Sequence, residues 1–200
     1  MKDIRKEIRE RWFENHIATL TLQGNLQVLD WRNPKCFSYH CRYVFDREFV
    51  YISGDLGEAV FRLTWNASIH SFDGIYSGYF HQKISAFNVN EEKWAFDADK
   101  AVARLREWLK NLKEHGRKYD HDEMRQFFEE ARECRSKSEW AYTINNHHDF
   151  LSELDQDLCE WMYSAGEEIP NRVLAYLIGL QMASEQIKAS GILMGKGVIR

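Results

Sequence analysis

The fold turns on residues 51–65, YISGDLGEAVFRLTW. The segment enters as a β-strand, bends at Gly54 and Gly57 around Asp55, and leaves as an apolar run ending in Trp65. The glycines supply backbone angles that other residues disfavour, and an aspartate between them can tie the turn through its own carboxylate. Beyond the bend, Leu56, Val60 and Phe61 are spaced as one side of a short helix lying on a sheet. A glycine bend that opens a helix can also cradle an anion with its N–H groups. Here Asp55 and Glu58 would repel a phosphate, and the longer glycine pattern ending in Lys-Ser/Thr is absent, so the bend reads as a corner.

Upstream, Ile4, Ile8, Trp12 and Phe13 form the apolar stripe of an amphipathic helix over residues 2–14. IATLTLQ (17–23) and LQVLDW (26–31) then alternate around Gly24-Asn25, which is a hairpin signal. RNPK (32–35) breaks the chain before FSYHCRYVFD (37–46) and REFVYIS (47–53), giving a four-stranded antiparallel meander. On the third strand Tyr39, Cys41, Tyr43 and Phe45 share one face, and Ser38, His40, Arg42 and Val44 the other.

Downstream of the bend, residues 71–87 read as an irregular helix interrupted by Gly74 and Gly78, and KWAF as a further extended piece. From Asp97 the periodicity is helical. Asp97 caps a helix with Val102, Leu105, Trp108, Leu109 and Leu112 inward and Gly116 as its stop. Residues 120–134 place Met124, Phe127, Phe128 and Ala131 inward, Ser138 caps EWAYTINN, and DFLSELDQDLCEWMYSAG follows. The last helix opens at Pro170, and its Val173, Leu174, Leu177, Ile178, Leu180 and Met182 cover more than one stripe, which predicts the most buried helix. Strands followed by helices make an α+β protein: a small antiparallel sheet after an N-terminal helix, covered by about five C-terminal helices. The reading is one compact domain, with 1–96 as helix and sheet, 97–190 helical and 191–200 a loose tail.

Composition narrows the function. Of 200 residues 44% are hydrophobic, enough for a core without metal or crosslinks. The net charge of −4 lacks the basic excess of a general nucleic-acid binder, so direct nucleic-acid binding is not expected. The charged start MKDIRKEIRERWFEN and the lack of any run of about 18 apolar residues predict a cytoplasmic chain with no membrane contact. Cys36, Cys41, Cys134 and Cys159 form no CxxC pair, as expected of reduced thiols.

No HExxH, GxSxG or Walker pattern occurs. His147, His148 and Asp149 have the composition of a loop between helices, and His115 and His121 with Asp120 and Asp122 surround a helix junction where caps and charge pairs are the ordinary use. His40 and Cys41 fall on opposite faces of a strand and form no thiol–imidazole pair. The expectation is therefore no catalytic residue, no metal and no cofactor. With 7 Trp, 9 Tyr and 12 Phe, the aromatics mainly build core, while Trp31, Trp94, Trp140 and Tyr142 become binding anchors wherever they prove exposed.

Taken together, LDWRNP, RYVFD, VYISGDLGEAVF, the EEAREC helix and the closing EEIPNRVLAYLIGLQMASEQ resemble an uncharacterised family carried by phages and mobile elements of Gram-positive gut bacteria, over nearly the whole chain. That family is similar to inhibitors of host defence, including type II-A anti-CRISPR proteins directed at Cas9. The resemblance implies a protein that binds a host defence protein, Cas9 with its guide RNA, and blocks DNA binding or cleavage without chemistry of its own. Acidic side chains suit the positively charged channels of such an effector. Those of the bend and the helices, Asp55, Glu58, Asp120, Asp122, Glu123, Glu129, Glu130, Asp155 and Asp157, are the expected contacts. Two other readings stand beside it: a binder, sponge or hydrolase of a signalling nucleotide with the Gly54–Glu58 bend beside its pocket, and a nucleic-acid accessory protein using the Arg42 and Tyr43 sheet face. Self-pairing into a homodimer is compatible with all three.

Overall fold

The computed structural model describes residues 3–87 and 93–191, and the expectation for the tail beyond Gly191 lies outside them. The protein is α+β, and the chain divides into two compact units, Met1–Lys93 with Ile169–Arg200, and Trp94–Glu168.

In the first unit a short helix α1 (Ile4–Glu7), started by the Asp3 carboxylate accepting the Arg5 N–H at 3.0 Å, widens into a π-helical segment at Ile8–Trp12. Strands β1 (Ile17–Gln23), β2 (Leu26–Arg32), β3 (Cys41–Asp46), β4 (Phe49–Gly54), β5 (Ala59–Arg62) and β6 (Ile84–Phe87) form one antiparallel sheet in sequence order. The sheet thus has six strands where the sequence reading gave four. Residues 59–62 alternate buried Ala59 and Phe61 with the less buried Val60 and Arg62, and this period of two makes them a strand. As a helix, Val60 and Phe61 would both face the sheet. As a strand they face opposite ways, and β5 instead pairs along β4 from Phe49↔Arg62 to Ile52↔Ala59. Residues 71–87 likewise divide between the end of a 3-10 turn (Ile69–Phe72), helix α2 (Ser77–Gln82) and β6.

One face of this sheet makes the core. Leu20, Leu29, Trp31, Tyr43, Phe45, Val50, Ile52 and Phe61 are buried there with Ile8, Phe13, Phe72 and Phe80. On β3 the expected apolar face holds for Cys41, Tyr43 and Phe45, whereas residues 38–40 precede the strand in a loop where Tyr39 has φ +59°. Helix α8 (Asn171–Ala189) lies against that core, with Val173, Ala175, Tyr176, Leu177, Ile178, Leu180 and Ala183 buried, which matches its all-round apolar sequence. Gly179 permits the close approach. A Cβ there would lie 2.6 Å from the Tyr43 hydroxyl, which donates to the Tyr176 carbonyl at 3.1 Å.

The second unit has its own core. A two-stranded ribbon, β7 (Ala95–Phe96) and β8 (Glu167–Glu168), closes a set of helices: α3 (Ala98–Glu114), α4 (His121–Glu133), α5 (Lys137–Asn146), α6 (His148–Leu154) and α7 (Leu158–Trp161). Ala101, Leu105, Trp108, Phe127, Trp140, Ile144, Leu151 and Met162 fill it. The Asp97 cap accepts the Lys100 N–H at 3.0 Å, and α3 ends before Gly116 at φ +67°. Ser136, not Ser138, caps α5, because its hydroxyl reaches the Glu139 N–H three residues on, at 3.2 Å. Of the C-terminal helices, then, α8 belongs with the sheet, and α3–α7 bury their apolar stripes against one another. No helix among the described residues is long and apolar enough to cross a membrane.

Candidate partner-binding surfaces

The Gly54–Gly57 corner is fully engaged by the fold. Gly54 has φ +137°, and a Cβ on it would sit 2.3 Å from the His40 carbonyl oxygen. That oxygen accepts the Asp55 N–H at 2.9 Å, and the Asp55 carboxylate accepts the Tyr39 N–H at 2.7 Å. The Gly57 N–H closes onto the Gly54 carbonyl at 3.1 Å, and the Leu56 carbonyl takes the Tyr176 hydroxyl at 2.8 Å. The corner therefore pins the chain entering β3, whose Tyr39 ring stacks on Trp12 at 4.8 Å, and binds it to α8. Its carboxylate and two of its donors are spent. A cleft of about 330 Å³ does adjoin it, lined by Glu58, Tyr51, Val60 and Phe87 among others; Glu58 is the only charged residue of that lining among the described residues, and the Arg172 guanidinium lies 4.1 Å over the Phe87 ring.

Among the described residues the thiols and imidazoles do not converge. Burial pushes the Cys41 thiol up to about 12, so it stays protonated in the core. Exposed Cys36 is held below the ordinary thiol range by the hydroxyl and N–H of Ser38, at 3.2 and 3.4 Å. His40 faces Asp30 at 3.7 Å, alongside Arg42 at 3.5 Å. His147 is buried against Glu130 at 3.1 Å, while His148 meets Asp149 at 3.7 Å. Among the described residues no three His, Cys, Asp or Glu side chains could hold one metal ion.

His16 has a measurable consequence. Its ring packs edge-on to Phe13 and beside Trp31, its Nε2 lies 3.3 Å from the Tyr39 carbonyl, and its Nδ1 has no partner among the described residues. Burial lowers its pKa below the ordinary 6.5. The unfolded chain then takes up a proton in a range where the fold does not, so this contribution is complete above pH 6.5 and is lost as the pH falls below it. Denaturant midpoints should decline as the pH drops below about 6.5. The His16→Gln variant should lose that decline, and an identical pH profile in the variant would refute the assignment.

The nine acids separate into structural and free groups. Asp55 is spent on Tyr39. Asp120 caps α4 by accepting the Glu123 and Asp122 N–H groups at 3.0 and 2.9 Å, and those bonds hold its carboxyl below the usual range. Asp122 pairs with Arg125 at 3.1 Å. Glu130 accepts from the Gln126 amide at 3.0 Å and faces His147, which together hold its carboxyl low against the opposing effect of burial. Asp155 accepts the Trp161 indole N–H at 3.1 Å and the Asp157 N–H at 3.0 Å. Glu58, Glu123, Glu129 and Asp157 stand exposed. On α4, Asp122, Glu129 and Glu133 share one exposed stripe at i, i+7 and i+11.

Exposure also sorts the aromatics. Trp31 and Trp140 are buried, Trp94 is half-buried, and Tyr142 is 67% exposed on α5. Tyr43 is wholly buried on the core side of β3, which removes it from any base-stacking face shared with exposed Arg42. Phe37, 86% exposed, and Tyr76, 67% exposed, are further exposed aromatics that sequence reasoning did not single out. Pro34, three residues before Phe37, is the hint in the sequence, since it favours a loop over a strand.

Charge is segregated between the units. Met1–Lys93 with Ile169–Arg200 hold 16 Lys and Arg against 13 Asp and Glu, a net +3, whereas Trp94–Glu168 holds 11 against 18, a net −7. Set against protein-family models, curated proteins and solved structures, the chain matches none of them.

Proposed function

We propose that the protein works as a stoichiometric binder of a bacterial defence protein, a phage- or mobile-element-encoded inhibitor of the anti-CRISPR kind acting in the host cytoplasm. Cas9 with its guide RNA is the partner that the sequence resemblance implies. The observation that supports this is the net −7 of the second unit, with the exposed stripe of α4 and Tyr142 standing out from α5. A positively charged nucleic-acid channel attracts such a surface at long range, and a desolvated tyrosine then supplies the short-range energy that charge alone does not. Binding there competes with the phosphate backbone for the same cations and requires no bond to be broken.

The test is target cleavage by purified Cas9 loaded with its guide. Cleavage should vanish as the protein reaches one equivalent of Cas9. Tyr142→Ala should raise the concentration needed by about tenfold, the scale of a single interface anchor, with thermal stability unchanged because the side chain is exposed. Reversing Asp122 and Glu129 to lysine together should slow association and flatten its dependence on salt. Full cleavage at a large molar excess of the protein would reject the reading.

A further inference from the structure

β1 is an edge of the six-stranded sheet, and its sequence, IATLTLQ, holds no charge and no proline. Its pairing with β2 runs from Ile17↔Arg32 to Gln23↔Leu26 without a bulge. Proteins ordinarily blunt a long edge with lysine, proline or a bulge, since its free N–H and C=O groups are a template for another strand. The opposite edge, β6, has four residues, while β1 has seven.

Among the described residues one side chain, Gln186, bonds the outer edge of β1. The Gln186 amide oxygen accepts the Ala18 N–H at 2.6 Å, and its nitrogen donates to the His16 carbonyl at 3.2 Å. Ala18 therefore turns its N–H away from β2. In an antiparallel ladder alternate residues do the same, so Leu20 and Leu22 also present their N–H and C=O groups outward. Among the described residues no backbone hydrogen bond from outside the sheet reaches either of them.

We propose that this open edge pairs with β1 of a second copy of the chain, antiparallel about a two-fold axis at Thr21, joining two six-stranded sheets into one. With Ala18 left to Gln186, Leu20 of each copy faces Leu22 of the other, and each such pair exchanges two hydrogen bonds. Leu22, 40% exposed, gains a leucine neighbour on the core side. Thr21 meets its own counterpart on the other side, in the closely spaced register where the Cα atoms are about 4.5 Å apart. The absence of charge is what selects a second copy. Self-pairing brings no like charges together, the strand offers no electrostatic cue to a different partner, and two open residues flanking a central one are self-complementary under a two-fold axis.

Sedimentation should give twice the 23.8 kDa of one chain, reverting to the single mass on dilution. Leu22→Lys, which sets a charge on the edge, should remain a folded monomer with the parental melting temperature. In a Cys36→Ser background, Thr21→Cys should crosslink through oxidation into a dimer on a non-reducing gel. Thr19→Cys should not, because its two copies would stand about 14 Å apart along the strands, beyond the roughly 7 Å that a disulfide spans. A single-chain mass at the highest attainable concentration, or equal crosslinking of the two cysteine variants, would overturn the proposal.

Discussion

Gly54→Ala is expected to destabilise the protein by about 3 kcal/mol or more, the range of backbone strain combined with a clash that cannot relax. The added Cβ would lie 2.3 Å from the His40 carbonyl oxygen, and φ +137° is a conformation that an L side chain rarely adopts. The oxygen cannot retreat without loss. It accepts the Asp55 N–H at 2.9 Å, and Asp55 holds the Tyr39 N–H at 2.7 Å, so a shift there releases the chain entering β3. Gly24→Ala is the matched comparison. It also has positive φ, at +60°, but nothing lies within 4 Å of its Cβ, so its cost should be near 1 kcal/mol. Urea midpoints of the two variants, at unchanged slope, measure the difference. If both moved the midpoint equally, the close approach at Gly54 would not be the constraint inferred for it.

Trp140→Ala should cost about 3–5 kcal/mol, the range for deleting a wholly buried large aromatic. The ring is fully buried in the second unit's core, 5.8 Å from the Phe96 ring, and its indole N–H donates to the Met162 carbonyl at 2.8 Å. Two losses are therefore combined. Trp140→Phe retains much of the volume and removes the donor, while the Met162 carbonyl keeps the Ala165 N–H at 3.1 Å, so its cost should be about 1 kcal/mol, the net worth of one hydrogen bond. The ratio of the two costs, from denaturant unfolding followed by circular dichroism, separates packing from hydrogen bonding. A phenylalanine variant as damaged as the alanine variant would place the weight on the hydrogen bond, and an undamaged alanine variant would remove Trp140 from the core's main supports.

Both predictions concern positions whose neighbours come from distant parts of the chain, and the same division marks the binding surfaces. Asp55 and Asp120 look like contacts in sequence because acids in loops and first turns are usually solvated. The structure uses one to hold Tyr39 and the other to cap α4. Tyr142 and Trp140 are two residues apart on α5, and their sequence surroundings are alike, yet one is 67% exposed and the other buried. On a helix, two residues apart is a turn of about 200°, enough to place one on the core side and one in solvent, but which is which depends on where the neighbouring helices lie. The surface acids are legible as acids. Whether each is free is decided by the donors brought to it.

The amino-acid sequence alone determined the α+β class, the β1–β4 meander, the alternation of faces along β3, the Asp97 cap and the apolar stripes of α3, α4 and α8. Each follows from a repeat of two or 3.6 residues, or from a cap acting within one turn, and such signals are local. Tertiary structure decided the rest. β5 is a strand because β4 offers it an edge, α8 joins the sheet rather than the neighbouring helices because Gly179 lets it reach Tyr43, and the Gly54 corner is fixed by a carbonyl fourteen residues upstream. Those choices rest on which surfaces remain to be covered once the local elements exist, and that is a property of the assembled chain rather than of any window of it.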